Sequence, residues 1–198
     1  MSEFQAYLTL GFAHITALNG YDHILFVVAL CAVYSFQEWQ KVLILVTAFT
    51  IGHSVTLALS AFGIISFQKD VVELLIPITI FITAVGNYFQ NSKGELSLSA
   101  NKMRYVLAAG FGLIHGMGFS TYLRSLLGGI DGITVSLLAF NIGLELGQLL
   151  IVVAALGVGF LFTTIFKIKR FTWNHLISGI VAGMALSLIL SSEVIKGF

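Results

Sequence analysis

Charged residues, cysteine and proline are all scarce in this chain. Only 10% of its 198 residues are charged, and the formal net charge is +1. A soluble domain carries about 25% charged residues, so the composition excludes a water-soluble fold. A nearly neutral chain also lacks the excess of basic residues that attracts the phosphates of nucleic acid. The single cysteine, Cys31, excludes an intramolecular disulfide framework and a thiolate zinc cluster.

Apolar residues and glycine, in contrast to charged residues, cysteine and proline, are abundant. Hydrophobic residues make up 58% of the chain, the mean hydropathy is +0.98, and there are 20 glycines but one proline. Glycine allows helix backbones to approach one another closely in lipid. We therefore predict an all-α fold, a polytopic membrane helix bundle of six to seven transmembrane helices, with the phenylalanine-rich stretches facing lipid.

Charged residues and turn signals divide the chain into segments of membrane-spanning length. A hydrocarbon core of about 30 Å needs about 20 apolar residues in a helix. The leading segment, 4–18, is predicted to be short or re-entrant, and residues 1–20 lack the basic region of a signal peptide, so we expect them in the mature protein. The predicted spans that follow are 22–36, 41–63, 71–89, 103–124, 133–166 and 173–191.

The chain is predicted to form a single transmembrane domain, 1–198. Its possible halves, 1–90 and 103–198, are joined by the polar loop 90–102. Because the two halves contain an odd number of spans each, any internal repeat between them would be inverted.

Lysine and arginine are distributed unequally between the two sides of the predicted bundle. The side richer in these residues is usually cytoplasmic, so we predict an inner (cytoplasmic) membrane protein whose C-terminus is extracytoplasmic. The N-terminus is expected outside if the leading segment is re-entrant, which makes six crossings, and inside if that segment crosses. The cytoplasmic side would carry Lys41, Lys93, Lys102, Arg104, Lys167, Lys169 and Arg170, and the other side Lys69, Arg124 and Lys196.

Three ionisable side chains lie near the middle of separate predicted spans. His53 is twelve residues beyond Lys41 and His115 is twelve beyond Met103, which is about 18 Å of helix in each case. Glu145 lies at a similar distance from the other end of its span. Intramembrane ionisable groups cost about 2.5–3.5 kcal/mol on insertion scales and usually face a partner, a cavity or a pathway.

Three more candidate ligands, His14, Asp22 and His23, come before or at the start of the first span and join the deeper group if that span is recessed. Imidazole together with carboxylate suits Zn²⁺, Ni²⁺, Co²⁺ or Fe²⁺, whereas the sulfur ligands of a Cu(I) site are nearly absent. His175 is interpreted as a packing histidine. The predicted metal ligands are His14, Asp22, His23, His53, His115 and Glu145, and the polar residues expected to support them are Ser54, Asn141 and Gln148.

Four sequence motifs together resemble the HupE/UreJ family of membrane proteins, which are hydrogenase and urease accessory proteins regarded as nickel permeases. The motifs occur in the family's order and span most of the chain. They are GFAHITALNGYDHILF at 11–26, TAFTIGHSVTLAL at 47–59, FGLIHGMGF at 111–119 and FNIGLELGQL at 140–149.

The resemblance implies roles for particular residues. It assigns His14, Asp22 and His23 to the family's His…Asp-His element, His53 to its GHS motif and His115 to its HG motif. It likewise assigns Asn141, Glu145 and Gln148 to the N-G-E-G-Q motif. Besides the ion and the lipid bilayer, the expected partners are a second copy of the chain or proteins of metallocentre assembly.

Two functions that use a bound metal are compatible with these residues, and a third interpretation is a structural subunit whose histidines only join helices. The first is a permease for a divalent transition metal, with nickel favoured and zinc or cobalt as other candidates. The second is a zinc-dependent intramembrane hydrolase that acts on a lipid or amide, in which a carboxylate activates metal-bound water. Neither a G-x-S-x-G elbow nor an H-E-x-x-H helix is present in the sequence.

Overall fold

The computed structural model describes residues 2–89, 98–127 and 133–197, and helices make up most of this part. The all-α prediction is confirmed. Short 3₁₀ turns occupy Leu18–Gly20, Phe36–Glu38 and Asn87–Phe89, and a π-helical turn, Leu161–Ile165, ends the longest apolar segment. The helices are α1 (Glu3–Thr16), α2 (Asp22–Cys31), α3 (Trp39–Ala61), α4 (Lys69–Gly86), α5 (Leu98–Leu127), α6 (Ile133–Phe160), α7 (Arg170–Ser191) and α8 (Glu193–Lys196).

Four helical segments within the described ranges are long and apolar enough to cross a membrane, so the predicted count of six to seven is not confirmed. Taken separately, α1 and α2 have only 14 and 10 residues. α5 is long enough, at 30 residues, but it carries Lys102 and Arg104 in its first turns. The four segments are Phe36–Ala61, Lys69–Phe89, Ile133–Ile165 and Arg170–Ser191.

The start of α5 corrects the predicted polar loop 90–102. Residues 90–97 lie outside the described part of the chain, but 98–102 are helical. The helix begins early because its first turns have partners in the bundle: the Tyr34 hydroxyl donates to Asn101 Oδ1 at 3.0 Å, and Arg104 donates to Asn87 Oδ1 at 3.0 Å.

These contacts belong to one end of the bundle, which we call the basic end and define by residues 35–41, 101–104 and 167–170. Arg170, at the start of α7, is bonded to the segment between α2 and α3. It donates to the Val33 carbonyl at 3.0 Å and to Glu38 Oε2 at 2.7 Å. Lys41 also donates to Glu38, at 2.8 Å. Several of the basic residues that the sequence assigns to one side therefore do lie together.

The leading segment is short, as predicted, but it is not re-entrant. At the end of the bundle opposite the basic end, Ser136 donates to Glu3 at 2.8 Å and the Tyr7 hydroxyl donates to the Leu126 carbonyl at 3.2 Å. α2 ends at Cys31, two residues before Val33, whose carbonyl accepts from Arg170 at the basic end. α1 and α2 make little contact with each other and do not form a hairpin. They run in the same direction, separated by a break at residues 17–21.

Two pairs of parallel helices pack through glycine. A Cβ added to Gly52 of α3 would meet the Ala109 carbonyl of α5, and one added to Gly112 of α5 would meet the Phe49 carbonyl of α3. α1 and α6 meet in the same way, at Gly11 and Gly143. Only helices without side chains at these points can approach so closely, and this brings their neighbouring residues to a common centre.

Candidate metal centre

Four of the five histidines meet at the middle of the bundle. The ring centroids of His23 and His14 are 4.7 Å apart, those of His23 and His115 are 5.2 Å apart, and those of His23 and His53 are 5.9 Å apart. His14 and His53 are 6.0 Å apart. We call these four residues the histidine cluster. The fifth, His175, is partly exposed and its Nδ1 lies 2.8 Å from the Phe171 carbonyl, in agreement with its interpretation as a packing residue.

The local sequence explains why these four side chains converge. His14 lies in the last turn of α1 and His23 in the first turn of α2, so the two flank the break between the half-helices. His53 directly follows Gly52, and His115 directly precedes Gly116, at the closest approach of α3 to α5.

Asp22 joins two histidines of the cluster, His23 and His115, in the arrangement that is closest to a coordination sphere. One potential ligand atom from each of them lies within 4.8 Å of the other two. Asp22 Oδ1 also lies 2.9 Å from the His23 backbone nitrogen and 3.1 Å from His23 Nδ1. A carboxylate can only accept, so His23 donates through Nδ1 and its Nε2 keeps the lone pair.

Several ring nitrogens of the cluster are buried without a hydrogen-bond partner among the described residues. His23, His53 and His115 are 4%, 0% and 1% exposed. A buried polar atom left unsatisfied costs about 1–3 kcal/mol, and neutral imidazole nitrogens are the donors that borderline divalent ions prefer. The residues present therefore fit a metal ion. The unpartnered atoms are His14 Nε2, His23 Nε2, His53 Nδ1, His53 Nε2 and His115 Nδ1.

Aromatic rings enclose the cluster, and for three of them this corrects the expectation that the phenylalanine-rich stretches face lipid. Phe26, Phe49 and Phe140 are at most 1% exposed. Phe49 lies 5.0 Å from His115, and Phe119 lies 4.0 Å from His14, between ring centroids. The periodicity of an apolar helix does not distinguish a lipid-facing phenylalanine from a buried one, so only the tertiary packing identifies these rings as the walls of the site.

A cavity of about 370 Å³ reaches Asp22 from the direction of the end opposite the basic end. We call it the acidic cavity because three carboxylates line it. Glu73 and Glu193 are each paired with a lysine one turn along their helix, Lys69 at 3.3 Å and Lys196 at 3.1 Å. The cavity is lined by Gly20, Tyr21, Asp22, Glu73, Ile76, Pro77, Leu188, Ser191, Ser192 and Glu193.

The structure does not bring Glu145 into the histidine cluster. Its Oε1 accepts from the Thr47 hydroxyl at 2.8 Å, and Thr47 lies six residues before His53, about 9 Å along α3. Gln148, one turn from Glu145, accepts from the Thr50 hydroxyl at 2.7 Å. These two contacts form a polar seam between α3 and α6, between the cluster and the basic end.

The other predicted supporting residues make local contacts. Ser54 donates to the Thr50 carbonyl of its own helix at 2.7 Å. The Asn141 amide donates to the Leu137 carbonyl at 2.9 Å, and its Oδ1 is buried without a partner among the described residues. Neither residue has a hydrogen bond to a cluster histidine in the described ranges.

Sequence reasoning missed Thr79, whose hydroxyl oxygen lies 3.0 Å from His115 Nε2. Thr79 is 2% exposed and belongs to α4, a helix without a predicted ligand. The one local signal was its position two residues after Pro77, the single proline of the chain. Proline inside a membrane helix is tolerated where neighbouring groups restore the lost hydrogen bonding.

Over residues 1–193 the chain matches the protein-family model described as "HupE / UreJ protein". No curated protein matches the chain, and no solved structure matches it. The family match spans all four motifs noted in the sequence and each residue of the histidine cluster.

Proposed function

Because the chain belongs to the HupE/UreJ family, we propose that it is an inner-membrane permease for a divalent transition metal, with nickel as the favoured substrate. The observation that carries this proposal is the convergence of Asp22, His23 and His115 at metal-binding distance. The family is commonly associated with nickel and cobalt transport, and the donor set suits such ions better than it suits Mg²⁺ or Ca²⁺.

The proposed membrane topology has six crossings. α1 and α2 together make one discontinuous crossing, because 14 and 10 residues extend about 21 Å and about 15 Å. α3 to α7 make the other five. With the basic end in the cytoplasm, the N-terminus and the C-terminus are both extracytoplasmic.

The proposed substrate pathway begins in the acidic cavity, where carboxylates offset part of the desolvation cost of a divalent cation. The ion then binds at the histidine cluster near the break between α1 and α2. Substrate sites at the breaks of discontinuous helices are common in transporters. Glu145, beside the cluster on the side of the basic end, is the proposed next ligand, and the ion leaves toward the cytoplasm.

The test is a comparison of single-histidine variants in cells and in purified protein. We expect His115→Ala to lower the affinity for Ni²⁺ by at least about 100-fold, since loss of an outer partner alone costs about 10–100-fold. Accumulation of ⁶³Ni by expressing cells should fall to the level of cells without the protein. Metal content after purification without chelator is measured by plasma mass spectrometry.

His175→Ala provides the matched control, because it removes a partly exposed imidazole whose ring packs on Tyr88 and Phe171. It should leave binding and accumulation unchanged. Accumulation that survives in His115→Ala cells would overturn the transport proposal. Tight metal binding without transmembrane movement of ⁶³Ni in proteoliposomes would also overturn it, and would favour the zinc hydrolase.

A further inference from the structure

Thr79 occupies a buried position between two hydrogen-bonding groups. Its hydroxyl oxygen lies 2.7 Å from the Ile76 carbonyl oxygen in its own helix and 3.0 Å from His115 Nε2 in α5. The residue is 2% exposed, so water does not compete for these contacts. The side chain connects a helix without predicted ligands to a member of the histidine cluster.

The chemistry of the hydroxyl group determines how these two contacts are made. A hydroxyl has one proton to donate and two lone pairs with which to accept. A carbonyl oxygen can only accept, so the short contact with Ile76 uses the Thr79 proton. The contact with His115 then requires Thr79 to accept, and the donor is the Nε2–H group of the ring.

We propose that Thr79 fixes the tautomer of His115, so that Nε2 carries the proton and Nδ1 is the nitrogen that binds the metal. This inference rests on the proposed function. In a neutral imidazole one nitrogen donates and the other holds a lone pair. His115 Nδ1 is buried and has no hydrogen-bond partner in the part of the chain that the structure describes, so its lone pair is available to an ion.

The same principle operates at His23 with the opposite nitrogen. Asp22 accepts from His23 Nδ1 and leaves Nε2 with the lone pair. Metal-binding histidines generally donate their other ring N–H to an oxygen acceptor, which fixes the ring orientation and raises the basicity of the ligating nitrogen. Thr79 is therefore a positioning residue, which acts on the metal through His115.

The first readout is the tautomer of His115 in metal-free protein, which does not depend on transport or on bound metal. Protein labelled with ¹⁵N in its histidine rings is examined by NMR, and the His115 signals are identified by their absence from His115→Gln. We expect the Nε2–H tautomer in the unmodified protein and in Thr79→Ser, and a loss of this preference in Thr79→Val, which has the same shape without a hydroxyl.

The second readout is the Ni²⁺ affinity of the same variants. We expect Thr79→Val to weaken binding by about 10–100-fold, the usual effect of removing such a partner, and Thr79→Ser to stay within about threefold of the unmodified protein. Thr83→Val is the matched control, because its hydroxyl, one turn farther along α4, donates to the Thr79 carbonyl at 2.8 Å. It should change neither the tautomer nor the affinity.

The two readouts separate failure of this inference from failure of the proposed function. An Nδ1–H tautomer in the unmodified protein, or a tautomer and affinity that Thr79→Val leaves unchanged, would overturn the positioning role. Equal losses of affinity in Thr79→Val and Thr83→Val would also overturn it, since they indicate a structural effect of α4. Absence of Ni²⁺ binding in the unmodified protein refutes the proposed function and leaves the tautomer result to stand by itself.

Discussion

Replacing Asp22 by asparagine, a change of nearly the same shape, is expected to lower the affinity for Ni²⁺ by about 100-fold or more. Asp22 has two roles, as the carboxylate of the Asp22–His23–His115 group and as the acceptor for His23 Nδ1. Bonds to a charged acceptor are roughly twice as strong as neutral ones, and removal of an outer partner alone costs about 10–100-fold in metal affinity. Isothermal titration of metal-free protein measures the change.

Asp22→Asn should leave the metal-free protein folded, because the amide oxygen can still accept from His23. Its thermal unfolding in detergent is therefore expected to resemble that of the unmodified protein, while the stabilisation by added Ni²⁺ should be lost. Asp70→Asn is the control: it removes the same charge from an exposed position in the first turn of α4. If both variants weaken Ni²⁺ binding equally, Asp22 acts only through the long-range electrostatic attraction of its charge.

Replacing Gly112 by alanine is expected to lower the free energy of unfolding by about 1–3 kcal/mol, the usual range for an overpacked contact. The new Cβ would meet the Phe49 carbonyl oxygen of α3, and it would lie 3.1 Å from the His53 backbone nitrogen. Backbone atoms cannot rotate away as side chains do, so α3 and α5 must separate. Unfolding in mixed detergent micelles measures the stability.

The same separation should weaken metal binding, because α3 and α5 carry His53 and His115. Gly110→Ala is the matched control, two residues earlier in α5, where an added Cβ meets nothing within 4 Å. It should leave metal binding intact and keep or raise stability by up to about 1 kcal/mol, through the higher helix propensity of alanine. If both variants unfold alike and bind metal alike, the close approach of α3 and α5 is not what holds the cluster together.

The sequence predicted the residues of the cluster because the free-energy cost of an ionisable side chain in lipid can be recognised from one helix alone. His53 and His115 each interrupt a long apolar stretch, and such an interruption is expensive in lipid unless a partner or ion compensates it. Asp22 and His23 directly follow a turn signal, Asn19-Gly20, which is where the structure has its break between α1 and α2. These local patterns identify candidate ligands without a knowledge of the packing.

The same reasoning gave a wrong location for the Glu145 carboxylate. Its depth, counted along its own span, matched that of the histidines, but its carboxylate contacts Thr47 and lies outside the cluster. Depth along a helix axis does not determine how the helix is rotated about that axis or at what angle it crosses its neighbours. The re-entrant interpretation of the leading segment failed for a related reason, since the direction of α1 depends on its packing against α6.

By itself, the sequence determined that the chain is an all-helical membrane protein and which side chains have metal-binding chemistry. It could do so because polar residues are costly in lipid, so an apolar composition indicates a membrane protein and each ionisable interruption of an apolar stretch indicates a functional side chain. Only the tertiary structure decided which of those side chains meet, that α1 and α2 run in the same direction on either side of a break, and that Thr79 and buried phenylalanine rings contact the histidine cluster. The reason is that such contacts depend on how closely two backbones approach, and that distance depends on the surfaces of both helices together.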